Sequence, residues 1–255
     1  MVVERPTIGI IWPGKLDARY EWARLEAWLC AEGLRISVAT VESPSDGLHE
    51  LGSLQVTGSA DALVAAASSL RPANCCAVIW ACTSGGFIEG LHQARRQARL
   101  ISEAAGAPAT SASLALVAAA AALRARSIDL LSPYPQDTTD RLLRFLGEAG
   151  LAVVECRVLG CMDGTASNRL ALLEAASPFR SRMSASRRPL VIPDTAINSL
   201  EAVGRLEAEL GRPVVTANQA SVWHGLALAG LRADIAAAGS LWHAACRDER
   251  EPAIP

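Results

Sequence analysis

Short apolar runs such as TIGIIW, AVIW, LVI and VVT recur along the chain, separated by longer segments rich in Ala, Leu, Arg and Glu. The runs carry β-branched and aromatic residues, whereas the segments between them repeat apolar positions with helical period. Strands are predicted at Thr7–Trp12, Arg35–Thr40, Ala77–Ala81, Ser127–Leu131, Ala152–Arg157, Leu190–Ile192 and Val214–Thr216, with helices in most of the gaps. Such alternation is the pattern of parallel sheets covered by helices, so the expected class is α/β. Within it, SLALVAAAAALRARS reads as a helix whose last turn carries Arg124 and Arg126, favourable at a helix C-terminus. FRSRMSASRRP reads as a basic, Ser-rich surface loop.

Two of the predicted strands end alike. VIWACTSGG stops at Cys82-Thr83-Ser84, and LVIPDTAIN stops at Asp194-Thr195-Ala196. In open α/β sheets ligands collect outside the carboxyl ends of strands, where loops enter helix N-termini. There the Thr and Ser side chains cap the next helix, and backbone N–H groups point at an anion. The sequence separation of Cys82 and Asp194 suits one α/β lobe, so two similar lobes facing each other would each contribute one reactive group to a cleft. The plainer alternative also stands: α/β folds generate similar strand ends generically, Cys82 is simply buried, and Asp194 caps the following helix through the N–H of Ala196 or Ile197.

Composition narrows the partners. With 255 residues, 51% hydrophobic and 20% charged, the chain has enough apolar material for one large core or two smaller ones. A net charge of -2 and a pI near 6.1 give no footprint for nucleic acid or an anionic membrane. The N-terminus has no signal-peptide pattern and no stretch is long and apolar enough to span a bilayer, so the expected location is cytoplasmic. Seven Cys, an odd number without Cys-x2-Cys pairs, argue against a disulfide framework and a structural zinc site, and the adjacent Cys75 and Cys76 read as strand packing. No cofactor is expected: the nucleotide-loop motifs are missing, His and carboxylates lack metal-ligand spacing, and the single Lys, Lys15, is the one candidate for a Schiff base. His49, His92 and His243 have no constellation around them and read as surface or helix-face residues.

VIWACTSGGF, the Pro-Tyr of LLSPYPQD, LVIPDTAINSLEAV and, most specifically, GRPVVTANQASVWHGLALAG resemble the aspartate/glutamate racemase superfamily, in its maleate isomerase and arylmalonate decarboxylase branch. The resemblance implies two pseudo-symmetric lobes around a cofactor-independent site, residues 1–112 with 214–255 forming the first and 113–213 the second. It further implies a small carboxylate substrate and leaves room for a homo-oligomer. Family isomerases and racemases usually carry a Cys in each lobe. The arylmalonate decarboxylases keep only the second, with Gly in the first position. Here Cys82 matches the first Cys, while Asp194 stands where the second belongs, a departure from both patterns.

By the same resemblance Thr83, Ser84 and Tyr134 bind a carboxylate or stabilise an enediolate, Thr195 adds a backbone N–H, and Pro13 and Asn218 complete the binding set. His224 is implied to support the loop at Asn218. The Ser-Asn-Thr carboxylate binder of the isomerases is missing from WPGKLDARY. These residue types suit the chemistry, since breaking a bond beside a carboxylate loads charge onto it and donors aimed there lower the barrier. A thiol near a helix N-terminus is expected to have a lowered pKa and to act as nucleophile or proton donor. Three functions follow from this: a maleate-type cis–trans isomerase with Cys82 as nucleophile, a decarboxylase or racemase using Cys82 and Asp194 as acid and base, or a non-catalytic carboxylate-binding protein.

Overall fold

The computed structural model describes residues 5–180, 188–235 and 239–244. Strands β1 (Thr7–Pro13), β2 (Ser37–Ser43), β3 (Ala77–Trp80) and β4 (Ala109–Ser111) form one sheet in the order β2-β1-β3-β4. A second sheet contains β5 (Ser127–Ser132), β6 (Ala152–Val158), β7 (Leu190–Ile192) and β8 (Val214–Thr216) in the order β6-β5-β7-β8. Every pairing is parallel, and the second order repeats the first strand for strand. The expected two-lobed α/β architecture is therefore present, and β3 and β7, the strands leading to Cys82 and Asp194, hold equivalent places in it.

The seven expected strands all form, and β4 is an addition. Its sequence, ATS, is too short and too weakly β-prone to stand out; pairing with β3 makes it a strand. β8 is hydrogen-bonded to β7 in the second sheet, although the boundary expected at residue 214 assigns it to the first lobe. The crossover begins with the following helix, Ala217–Leu228, which packs on β3, β4 and the helix Ala112–Ala122. Close approach requires Gly225, because a Cβ there would lie 2.4 Å from Ile79 Cδ1.

The helix Ala112–Ala122 starts with a Ser111 cap on the Leu114 N–H, and Ala217–Leu228 starts with a Thr216–Gln219 capping box. Contrary to expectation, Arg124 and Arg126 lie outside the last turn: the helix ends at Ala122, and Arg124 has φ of 55°. Terminating the helix there lets the chain turn directly into β5. Most of the basic loop at 179–189 falls at 181–187, outside the described residues.

One hydrophobic core joins the two lobes, bringing Ile10 and Ile79 of the first sheet together with Ile128, Leu130, Val191 and Val215 of the second. Each fully buried aliphatic side chain there contributes about 1.5–3 kcal/mol. The cluster holding Cys82 covers the outer face of the first sheet, and a second satellite cluster covers that of the second. This shared inner core holds the carboxyl ends of β3 and β7 at a common cleft. Among the described residues no helix is long and apolar enough to cross a membrane.

Candidate active site

The first strand end is built for a buried thiol. Ala81 N donates to Ile11 O at 2.9 Å as β3 finishes, and Cys82 follows, 4% exposed. Thr83 and Ser84 then enter the short helix Ser84–Phe87. Gly85 leaves room for the sulfur, since a Cβ there would lie 3.1 Å from Cys82 Sγ. Contrary to the capping role expected of it, the Thr83 side chain makes no cap hydrogen bond, and its buried Oγ1 has no partner.

The second strand end is strained. Asp194 has φ of 89°, a region that costs a non-glycine residue of order 1–3 kcal/mol and clusters at functional sites. Its Oδ1 accepts the Ala196 N–H at 2.9 Å, the bond expected of a cap, although a turn and not the expected helix follows, and Oδ2 is buried without a hydrogen-bond partner. Thr195 Oγ1 donates to Ala81 O at 2.8 Å, and the Thr195 carbonyl accepts from Trp22 Nε1 at 3.2 Å. The two strand ends are thus joined directly.

Cys82, Thr83, Ser84, Asp194, Thr195 and Pro13 line one cleft of about 60 Å³, together with Trp12, Tyr20, Ser45 and His49. Tyr134 stands behind it, fully buried, its ring edge-on to His49 and Phe87. The phenol Oη has no partner in hydrogen-bonding geometry, although the Thr83 hydroxyl is near enough to act on it. Asn218 is not in the cleft. Its Nδ2 donates to Ile197 O at 2.8 Å and to the half-buried Glu21 carboxylate, so it braces the segment after Asp194. Glu21 also accepts the N–H groups of Ser199 and Leu200, and burial raises its pKa.

Electrostatics revise the expectation for Cys82. Burial pushes its thiol up to about 12, and the Asp194 charge adds to the rise; the Gly85 N–H and Ser84 hydroxyl act the other way and do not overcome it. Cys82 is therefore a protonated thiol at rest, not a low-pKa thiolate, because a four-residue helix offers too little to offset desolvation. Burial likewise raises Tyr134 well above its ordinary value, with Asp194 and Cys82 contributing, so the phenol stays a donor.

Two of the histidines, His49 and His224, also differ from expectation, whereas His92 and His243 are exposed as expected. His49 is buried in the cleft with Nε2 3.6 Å from Asp194 Oδ2, brought there by the loop after β2; no local sequence signal marks it. His224 is buried with Nδ1 3.0 Å from Thr110 Oγ1 on β4, rather than supporting the Asn218 loop, and burial lowers its pKa to about 4. His243 pairs at the surface with Asp234. Among the described residues no three His, Cys, Asp or Glu side chains converge as a metal site.

Comparison with known proteins matches this geometry to a family. Residues 40–242 match the family model described as arylmalonate decarboxylase. Arylmalonate decarboxylase of Bordetella bronchiseptica is 31% identical over 130 residues, covering 50% of this chain and 54% of that enzyme, so the chain aligns with about half of this relative's length. Maleate isomerase of Geobacillus stearothermophilus is 26% identical over 185 residues, covering 69% of this chain and 72% of its own. The structure of a maleate isomerase variant from Pseudomonas putida S16, solved with maleate, superposes with a TM-score of 0.81 at 18% identity, over 95% of this chain and 99% of that one, a likeness of fold. The chain belongs to the arylmalonate decarboxylase family, in the branch of the aspartate/glutamate racemase superfamily that also contains the maleate isomerases.

Proposed function

We propose that this protein is a cofactor-independent enzyme of small carboxylates, working as a maleate-type cis–trans isomerase with Cys82 as nucleophile and Asp194 as its acid–base partner. One observation carries the reading: around the cleft thiol stand three buried polar atoms without a hydrogen-bond partner, Thr83 Oγ1, Tyr134 Oη and Asp194 Oδ2. Native proteins rarely leave such atoms unsatisfied, and a bound carboxylate would satisfy the two hydroxyls at once. Ser84 and the Thr195 N–H complete the donor set, and Pro13 shapes the mouth. Asn218 contributes by bracing the Asp194 segment.

In the reaction, Cys82 Sγ bonds to one olefinic carbon while the π pair moves onto the other, the α-carbon, and into the carboxylate it bears, whose charge meets the Thr83, Ser84 and Tyr134 hydroxyls. The α-carbon takes a proton from the Asp194 side, and the thiol proton passes to that side. Rotation about the new single bond, followed by the reverse transfers, expels Sγ and leaves the other geometric isomer. Preorganised donors of this kind are worth about 10²–10³-fold each in rate.

The protonated state of Cys82 supports a second reading, decarboxylation of a substituted malonate. There the C–CO2 bond breaks, its electron pair enters the remaining carboxylate as an enediolate, and the Cys82 thiol delivers a proton to carbon and regains one from solvent. Proton NMR in D2O with maleate, phenylmalonate and amino acids separates the readings. Conversion of the maleate olefinic signal, lost in Cys82→Ser, supports the isomerase. CO2 loss from phenylmalonate alone supports the decarboxylase, α-deuteration of amino acids a racemase, and silence a binding protein.

A further inference from the structure

Asp194 has a partner on its own side of the cleft. Oδ1 is engaged by the Ala196 N–H, while the unpartnered Oδ2 faces His49 Nε2 at 3.6 Å. Both side chains are buried, 5% exposed for His49 and 7% for Asp194, so bulk water does not relieve whatever charge or lone pair each presents to the other.

The far side of the imidazole decides which nitrogen carries hydrogen. His49 Nδ1 lies 2.9 Å from the Cys161 carbonyl oxygen. A carbonyl only accepts, so Nδ1 bears a hydrogen in every protonation state that keeps this bond. In the neutral ring Nε2 is then a bare lone pair opposed to a carboxylate oxygen, itself a bare acceptor. Two buried acceptors without a donor between them carry the full desolvation cost of both groups. A single proton between them removes the conflict.

The ring is held in this position from several directions. It packs edge-on to Tyr134 with centroids 4.9 Å apart and an interplanar angle of 85°. His49 N donates to Met162 O at 2.8 Å, and the His49 carbonyl accepts from Thr138 Oγ1 at 2.7 Å. Leu48 pairs antiparallel with Asp163, so a loop of the first lobe is clamped to the second.

We propose that His49 and Asp194 together hold one proton, carried on Nε2 and facing the Oδ2 charge across 3.6 Å, and that His49 is the positioning residue that makes Asp194 the acid–base group of the second strand end. The inference deepens the reading of Asp194 given above and rests on it. During addition the pair gives its proton to the α-carbon and receives the Cys82 thiol proton; elimination reverses both transfers, so a turnover leaves protons and charge unchanged. The titratable groups facing the pair are Cys82 and Tyr134, which burial keeps protonated. On the loops behind the ring, burial also raises the Cys161 thiol, Asp163 accepts the Ala166 N–H at 2.7 Å, and Asp46 accepts from Leu48 N and Ser53 Oγ.

Two-bond proton–nitrogen correlation spectra of the full chain, labelled at histidine nitrogen and assigned with His49→Gln, read the proton directly. The expected result is a protonated Nδ1 with Nε2 displaced from the bare-nitrogen position, returning to it in Asp194→Asn, whose amide donates to Nε2 instead of facing a proton held there. A bare Nε2 in the wild-type protein at neutral pH, or a bare Nδ1, overturns the proposal.

Turnover of maleate or phenylmalonate supplies the second arm. His49→Gln still offers Asp194 an N–H but exchanges no proton, so kcat should fall about 10²-fold, the lower end for a general acid–base group, with KM nearly unchanged and one limb of the pH–rate profile lost. An unchanged kcat and profile overturns the positioning role. His49→Asn, which retains a donor toward Cys161 O, serves the same two readouts if the Gln variant does not fold. Should the wild-type protein turn over neither compound, the reading of function fails, and the spectra still decide whether the pair holds the proton.

Discussion

Thr195 Oγ1 donates to the Ala81 carbonyl at 2.8 Å, linking the residue after Asp194 to the residue before Cys82. A single hydrogen bond therefore ties the ends of two strands from different sheets, immediately beside both reactive groups. Thr195→Val preserves shape and leaves the buried carbonyl without its donor. It should destabilise the protein by about 1–3 kcal/mol in urea denaturation and lower kcat more than stability alone explains. Unchanged stability and turnover would remove this link from the account.

Alkylation should follow burial rather than position at a helix start. Cys30 and Cys156 are exposed, whereas Cys82 is buried and its thiol is pushed up to about 12. Brief iodoacetamide treatment at neutral pH should label Cys30 and Cys156 first and Cys82 late, as read by peptide mapping, with Cys82 accelerating as pH rises. Early labelling of Cys82 would mean that a neighbouring base already holds its proton.

Tyr134→Phe and Thr83→Ala each remove a buried hydroxyl that has no protein partner in hydrogen-bonding geometry. Deleting an unsatisfied donor relieves a desolvation cost, so neither variant should lose stability through hydrogen bonding. Each should instead lose turnover by about 100- to 1000-fold, the range for a transition-state donor. Melting curves and kcat measured together check this opposition, which a structural role would not produce.

His224 gives a pH dependence with a definite sign. Burial lowers its pKa to about 4 from an ordinary 6.5, so the folded protein keeps the ring neutral while the unfolded chain protonates it. Its contribution to stability is complete above about pH 6.5 and is lost progressively as pH falls toward 4, by up to about 3 kcal/mol. Glu21 works oppositely, because its raised carboxyl favours protonation in the folded state as pH falls. The informative quantity is thus the wild-type minus His224→Gln difference in denaturation between pH 7 and 4.5, which should decrease as the pH is lowered.

Legibility in the sequence followed how local each signal is. Both strand ends were readable because β3 and β7 are continuous apolar runs that stop at a reactive residue, and their equivalence reappears in the two sheet orders. β4 was not, since ATS becomes a strand through its neighbour β3. His49 had no local mark: a bridge between Leu48 and Asp163 carries it to Asp194 from a loop of the other lobe. The thiol's pKa is not readable from its place at a helix start, because the burial and the Asp194 charge that set it are tertiary properties. Resemblance puts Asn218 in the binding set, yet its amide faces Glu21 and Ile197.

The central claim is that Cys82 and Asp194 are two halves of one site, and a double-mutant cycle on kcat/KM for maleate tests it most directly. Groups that act as a unit are strongly non-additive. Cys82→Ser and Asp194→Asn should each reduce kcat/KM by at least about 100-fold, with fold retained because Asn keeps the acceptor for the Ala196 N–H. The account predicts that the double variant is no slower than the slower single one. Losses that multiply in the double variant, or an Asp194→Asn enzyme with wild-type kcat/KM, would contradict it.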